Sequence, residues 1–202
     1  MSRSKAGGIW AIAITGFAVG LGGPASATPP AHEGPFGISM GESVAELHGV
    51  PMGRDIYRVS RPPTPNADFP LILVVAFPTT GVCQIMGSGN VNTDDPTGEK
   101  VQSDVDRLAG LLEAKYGPSK KQDDCNDSDE ACNRVWTFDA KQGVASYSYN
   151  WVNSAAAKPQ KIALITLMAQ ADSAASTEAV LGYDSSDEAC AAARKAAEGT
   201  GL

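Results

Sequence analysis

The sequence predicts an α+β fold with a mainly antiparallel sheet and helices on one face. Short apolar runs of strand length follow one another with Gly- and Pro-containing turns between them, which favours antiparallel neighbours over a doubly wound parallel sheet. Two longer segments have the periodicity of amphipathic helices. With 43% hydrophobic and 19% charged residues, the 202-residue chain has the composition of a folded protein and not of a disordered or fibrous one.

The N-terminus has the three parts of a secretory signal peptide. Arg3 and Lys5 precede an uncharged apolar run, and Ala25-Ser26-Ala27 is a typical cleavage site. A membrane anchor is the alternative, but the apolar run is shorter than the roughly 20 residues that span a bilayer. We therefore expect a periplasmic or secreted protein that uses the Sec route. The predicted organisation is a signal peptide, a loose N-terminal segment and a single α+β domain, at residues 1–27, 28–35 and 36–202.

The first part of the domain contains short elements separated by turns. Ser43 and Glu46 form a capping-box pattern, which predicts a short helix that ends at Gly49. Residues 61–65 contain three prolines and are predicted to form a loop. Strands are predicted on both sides of these features, at residues 36–39, 56–60, 69–77 and 82–86.

The second part begins with the most regular helical pattern in the chain. This helix is predicted to start at Asp95-Pro96, since proline is tolerated in a first turn, and to end at Gly117. Its predicted inner face is apolar and consists of Val101, Val105, Leu108, Leu111, Leu112 and Tyr116. Ser185 and Glu188 form a second capping box, which opens a terminal helix. Four strands are predicted between the two helices, at residues 134–139, 144–152, 161–169 and 179–183.

The cysteine count predicts disulfide bonds. Four cysteines in an exported chain are typical of two bridges, for which three connectivities exist. Cys125 and Cys132 flank a short polar loop and can close it locally, which leaves Cys83 to pair with Cys190. That bridge would close a loop of about 108 residues, worth close to 5 kcal/mol in chain-entropy models. A zinc site is the alternative, but the sequence contains no C-x2-C pair.

A nucleophile motif is present without the partners that it needs. Gly37-Ile38-Ser39-Met40-Gly41 matches G-x-S-x-G, yet the downstream histidine is His48, on the helix predicted directly after Ser39. We therefore expect glycines that shape a turn and not a serine hydrolase. His32 and His48 are both predicted to be exposed side chains, and no catalytic residue or cofactor is assigned.

The densest charge run is acidic and lies between two cysteines. It comprises Asp123, Asp124, Asn126, Asp127, Asp129 and Glu130. Calcium prefers such oxygen ligands, but the EF-hand pattern would need Gly at Asp129 and Glu at Val135. We expect a solvated loop, with weak calcium binding at 123–130 as the alternative, and assign no metal ligand.

Tyr147, Tyr149 and Trp151 alternate along one predicted strand and therefore share a face. Core packing beneath a helix is one interpretation of this pattern. The other is a binding face, because Tyr and Trp are enriched at interfaces.

Charge excludes one class of partner. The chain has 16 Lys and Arg against 23 Asp and Glu, a net charge of −7, whereas nucleic-acid binding needs a basic surface. The favoured function is a non-catalytic module that binds an envelope protein or another envelope component, without membrane insertion after signal cleavage. The alternatives are an envelope hydrolase that uses unidentified carboxylates, and a small-ligand carrier with a cavity between sheet and helices.

Two resemblances extend this picture. The motifs Phe36-Gly37-Ile38, Gly41-Glu42-Ser43, Gly81-Val82-Cys83-Gln84-Ile85 and Lys115-Tyr116-Gly117 resemble those of a family of uncharacterised bacterial exported proteins. That resemblance implies export but carries over no catalytic residue, since the family has no assigned activity. Because each predicted helix is followed by a meander, two halves at 36–92 and 93–202 would be similar to the tandem architecture of β-lactamase-inhibitor proteins, by fold analogy alone.

Overall fold

The residues that the structure describes form one large antiparallel sheet with three helices. This computed structural model describes residues 34–125 and 135–199, which lie in one compact unit. Its strands are β1 Val50–Gly53, β2 Ile56–Val59, β3 Leu71–Phe77, β4 Gly81–Ser88, β5 Asn92–Thr93, β6 Lys120–Cys125, β7 Ala145–Val152, β8 Ile162–Ala171 and β9 Ser176–Ser185. Its helices are α1 Glu99–Tyr116, α2 Trp136–Lys141 and α3 Glu188–Gly199. The predicted α+β class is confirmed.

The sheet is continuous across the chain. The strands are ordered β1-β2-β3-β4-β9-β8-β7-β6, and β5 pairs with β9 outside this path. At the centre, Ile85 of β4 lies opposite Tyr183 of β9. This pairing joins segments 36–92 and 93–202 in one sheet, and the analogy with β-lactamase-inhibitor proteins is not confirmed. The predicted signal peptide, residues 1–27, lies outside the described residues.

The two faces of the sheet differ in what covers them. On one side, which we call the helical face, α1 and α2 pack over buried residues such as Val74 and Ile165. On the opposite side, which we call the open face, α3 packs through a small cluster of Phe77, Cys83 and Cys190. The expectation that the helices share one face is met by α1 and α2 and corrected for α3. None of the helices in the described part of the chain is long and apolar enough to cross a membrane.

A buried carboxylate caps α1 from the preceding turn. Asp95 accepts hydrogen bonds from the backbone N–H groups of Lys100 and Val101, both at 3.1 Å, and from the Thr177 hydroxyl at 2.8 Å. The helix therefore begins at Glu99, a little later than predicted, with its first N–H groups satisfied. The predicted inner face is confirmed by the burial of Val101, Val105, Leu108 and Tyr116.

The segment after Ser43 forms turns and not the predicted helix. The capping-box contacts do form, because Glu46 Oε2 accepts hydrogen bonds from the Ser43 N–H at 3.1 Å and the Ser43 hydroxyl at 2.7 Å. Gly49 and Pro51 follow too closely for a helix to continue, and β1 begins at Val50. The predicted strand at 36–39 is also wrong, because a 3-10 turn occupies Pro35–Gly37.

Two elements near the acidic loop differ from their prediction. The segment predicted as strand 134–139 contains α2, whose first turn buries Trp136 and Thr137. Residues 120–125, expected to lead into a loop, form β6 and pair with β7 along their length. Charged side chains are common on such an edge strand, where they discourage pairing with other chains.

Cys83 and Cys190 form the predicted long-range disulfide. Their Cα atoms are 5.4 Å apart, and 107 positions separate them in the sequence. Cys83 lies where the β3–β4 register shifts between Val75 and Ala76, which directs it toward α3. The second predicted bridge, between Cys125 and Cys132, stays a prediction, because Cys132 lies outside the described residues.

Candidate functional site

The three aromatic residues singled out in the sequence lie beneath α1. They share the helical face of β7, as their alternation predicts. Trp151 and Tyr147 are 2% and 5% exposed, and the Trp151 indole N–H donates a hydrogen bond to the Gly117 carbonyl at 2.8 Å. Tyr149 is half-buried at the margin of the helix. These contacts account for Trp151 and Tyr147 as core residues and leave Tyr149 as the accessible member of the set.

A polar cluster lies where α1 meets β6 and β7. The Tyr147 and Tyr149 hydroxyls both donate to Asp106 Oδ1, at 2.7 and 2.6 Å. Lys121 donates to the Tyr147 hydroxyl at 2.6 Å, and its ammonium lies 4.3 Å from the centre of that ring. We call these four residues the Asp106 cluster. Each polar side chain of the cluster has a partner among the other three. We therefore interpret the cluster as a structural contact between α1 and the sheet.

The pKa values in the cluster follow from these contacts. Partial burial alone would raise the pKa of the Asp106 carboxyl, but the hydrogen bonds from Tyr149 and Tyr147 and the charge of Lys121 outweigh it and the pKa is lowered. Burial and the hydrogen bond to Asp106 raise the pKa of Tyr149 to about 12, and the same causes raise the pKa of Tyr147. The cluster therefore holds a carboxylate and two neutral phenols at neutral pH.

Asp106 is expected to contribute to the acid sensitivity of folding. A lowered carboxyl pKa stabilises the folded state above the ordinary value of 3.8, and that contribution decreases as the pH falls through the folded-state pKa. Because the side chain is half exposed, we expect less than about 1 kcal/mol. Urea unfolding of Asp106→Asn at pH 7 and at pH 3 measures this, with Asp172→Asn as an exposed control. The assignment fails if Asp106→Asn leaves the pH dependence unchanged.

The serine of the G-x-S-x-G motif lines a surface cleft. The cleft has a volume of about 740 Å³ and is also lined by His48 and Glu42. Because the helix predicted directly after Ser39 does not form, the chain turns and places His48, at φ 48°, in the lining of the same cleft. The expectation that a helix would keep His48 away from Ser39 is therefore wrong. Even so, no hydrogen bond joins the two side chains within the described residues. A nucleophile needs its base within hydrogen-bond reach.

The acidic segment is described only in part. Asp123 and Asp124 lie on β6, whereas residues 126–134 lie outside the described residues. Across residues 34–125 and 135–199, no group of three or more His, Cys, Asp or Glu side chains is placed to hold a metal ion. Calcium binding at 123–130 stays an untested alternative.

The open face carries an apolar patch at its centre. Cross-strand pairing places Leu73 beside Met86, and Val180 beside Met168. Leu71 extends the patch along β3, with Ser88 between Leu71 and Val180. Large apolar side chains on this face remain accessible, Met168 at 38%. We call Leu71, Leu73, Met86, Met168 and Val180 the apolar patch.

Glycine and ordered polar groups shape the surroundings of the patch. Gly182 lies between Met86 and Thr166 and has no side chain to project from the sheet. Beside it, Thr166 donates a hydrogen bond to Asn150 at 3.0 Å, and Asn150 contacts the Ser148 hydroxyl at 3.3 Å. The result is an apolar centre with a hydroxyl and amide flank on β7 and β8.

The acidic side chains nearest the patch have partners. Asp184 accepts hydrogen bonds from Arg194 at 2.6 Å and from Gln84 at 3.2 Å. Glu178 accepts one from Ser88. The sequence alone did not predict this surface, because its residues come from two strand pairs, β3–β4 and β8–β9, that are distant from each other in the chain. The sequence contained one signal for it: residues 71–77 are apolar on both faces of the strand.

The fold and this surface define a class of α+β protein with a long-range disulfide. In this class α1 and α2 cover the helical face of the sheet, and the open face carries an apolar patch. Comparison of the chain with protein-family models, with curated proteins and with solved structures finds no match. The resemblance to a family of exported proteins therefore stays a prediction.

Proposed function

We propose that the protein is a non-catalytic, periplasmic or secreted binding module whose apolar patch docks against another protein of the cell envelope. The observation that carries this proposal is an accessible apolar patch in the middle of the open face, beside the area that α3 covers. Contiguous apolar surface of this kind is uncommon on a protein that acts alone and is typical of interaction sites.

The composition of the open face supports a protein partner with an uncharged contact surface. The five patch residues carry no charge, and the neighbouring carboxylates of Asp184 and Glu178 are already hydrogen-bonded. The cores of protein interfaces are depleted of charged residues in the same way. A nucleic acid or an anionic membrane would instead need a basic surface, which the patch and its Ser, Thr and Asn flank do not offer.

Export is supported by two independent features. The N-terminal 27 residues have the pattern of a signal peptide. The Cys83–Cys190 disulfide is the kind of bond that persists outside the reducing cytoplasm. An envelope partner is therefore the relevant class.

The hydrolase alternative gains no support from the described carboxylates with shifted pKa values. Hydrogen bonds from Ser119 lower the pKa of Glu113, and the pKa of Asp106 is lowered as well. A general acid requires the opposite direction, toward the operating pH.

Substitution of the patch is expected to weaken partner binding without unfolding the protein. Met168→Lys places a charge in the patch, and burying it unpaired should weaken binding by about tenfold or more. The measurement is capture of a partner from solubilised envelope extract by the tagged, oxidised protein, followed by titration with that purified partner. Leu111→Lys on α1 is the matched control, because Leu111 is an exposed leucine on the helical side.

Footprinting distinguishes the patch from other contact surfaces. Partner binding should protect Met86 and Met168 from hydroxyl-radical oxidation and leave Met52 of β1 unprotected. Equal binding by Met168→Lys and wild type would overturn the proposal. So would a concentration-dependent dimer that Met168→Lys dissociates, because the patch would then be occupied by a second copy.

A further inference from the structure

A second, separate site is a cavity between α1 and the sheet. It has a volume of about 270 Å³, and three aromatic residues, Phe36, Phe69 and Tyr183, contribute to its walls. Phe36 meets the other two rings edge to face, with centroids 5.9 and 6.2 Å apart. Leu108 and Leu181 also belong to the apolar lining. An apolar cavity of about 150 Å³ can hold benzene, so this one has room for a ring and a short chain.

The backbone at the cavity is held in an unusual conformation. Phe36 has φ 55° and ψ 17°, in the left-handed region that bulky residues seldom adopt. This conformation costs free energy, and such strain clusters at ligand-binding sites. Here it places the Phe36 ring between Phe69 and Tyr183.

The lining of the cavity includes an accessible positive charge. Lys115 of α1 has no ion pair in the part of the chain that the structure describes, and its ammonium lies 4.9 Å from the Tyr116 ring centre. Asp68, a carboxylate that also lines the cavity, is already paired with Arg107 at 2.8 Å. Leu111, also on the lining, is 61% exposed and has room for a further apolar contact.

We propose that this cavity binds a small molecule with an apolar ring and a carboxylate group. The ring lies against the wall to which Phe36, Phe69 and Tyr183 contribute, and the carboxylate pairs with Lys115. This site is independent of the apolar patch, because it lies on the helical face of the sheet. One chain can therefore bind a small ligand and a protein at the same time.

Calorimetric titration with 3-phenylpropionate tests the proposal, with butyrate and 3-phenylpropanol as probes that lack the ring or the charge. We expect 3-phenylpropionate to bind most tightly and butyrate not to bind. Lys115→Gln should weaken 3-phenylpropionate about threefold and leave 3-phenylpropanol unchanged, since an exposed charge pair contributes little. Lys120→Gln, an exposed lysine on β6, is the matched control.

A second variant tests the cavity itself. Leu112→Trp, on the half-buried wall, should fill the space and weaken both ring-containing probes by about tenfold or more. Circular dichroism and thermal unfolding check that this variant folds, and Lys115→Gln keeps the test decisive if it does not. Binding of 3-phenylpropionate that neither variant changes, or no binding of either ring-containing probe, would overturn the proposal. Met168→Lys should bind the probes normally, which separates this test from that of the apolar patch.

Discussion

Replacing Cys83 and Cys190 together by alanine is expected to lower the free energy of unfolding by about 2 to 5 kcal/mol. The bridge spans 107 positions, so its loss releases a large part of the chain in the unfolded state. It also removes the anchor of α3, in which Cys190 is the buried residue. Urea unfolding of the oxidised double variant measures this effect without touching Cys125 and Cys132.

Hydrogen exchange separates the global effect from a local one. In the double variant the amides of α3 should lose protection, because the helix no longer has its disulfide anchor. Its contacts with the sheet through Ala193, Ala197 and the Arg194–Asp184 ion pair remain. The amides of α1, which packs on the helical face, should keep the protection that the remaining global stability allows. Unchanged exchange in α3 would show that these other contacts suffice to hold it.

The elements with strong local patterns could be predicted from the sequence. Leu71–Phe77 is apolar on both faces and is a central strand, and the α1 pattern correctly predicts the burial of Val101 and Val105. The Cys83–Cys190 pairing followed from which cysteines a short loop could join. In each case one physical rule, burial or loop closure, was sufficient.

The errors arise where neighbours in space decide the structure. Residues 134–139 contain a helix because Trp136 and Thr137 are buried against the sheet and Thr137 donates a hydrogen bond to the Ala174 carbonyl, a partner distant in sequence. The position of α3 on the open face goes with the Cys83–Cys190 disulfide and the Arg194–Asp184 ion pair, which no local pattern of the helix predicts.

The candidate sites show the same limit. The apolar patch requires Leu71, Met86, Val180 and Met168 to be neighbours, and only the register of four strands makes them so. The cavity wall requires Phe36, Phe69 and Tyr183 together. The alternation of Tyr147 and Trp151 correctly predicts a shared face, but it does not indicate whether that face is covered.

Trp151→Ala is expected to destabilise the protein by about 3 to 5 kcal/mol. The indole is 2% exposed and packs beneath α1, so its removal leaves a large cavity between helix and sheet. The Gly117 carbonyl also loses the N–H donor that now lies 2.8 Å away, at the end of the helix. Urea unfolding should show a lower midpoint with an unchanged slope.

The same substitution distinguishes the two interpretations of the aromatic strand. If Trp151 served mainly as a binding residue, alanine would reduce partner binding and leave the unfolding midpoint near that of the wild type. A core role predicts the reverse, and Trp151→Phe, which retains a buried ring, should recover part of the stability. Tyr149→Phe is the internal comparison: it removes one hydrogen bond to Asp106 from a half-buried position and should cost only about 1 kcal/mol. A loss below that value for Trp151→Ala would return Trp151 to the set of candidate binding residues.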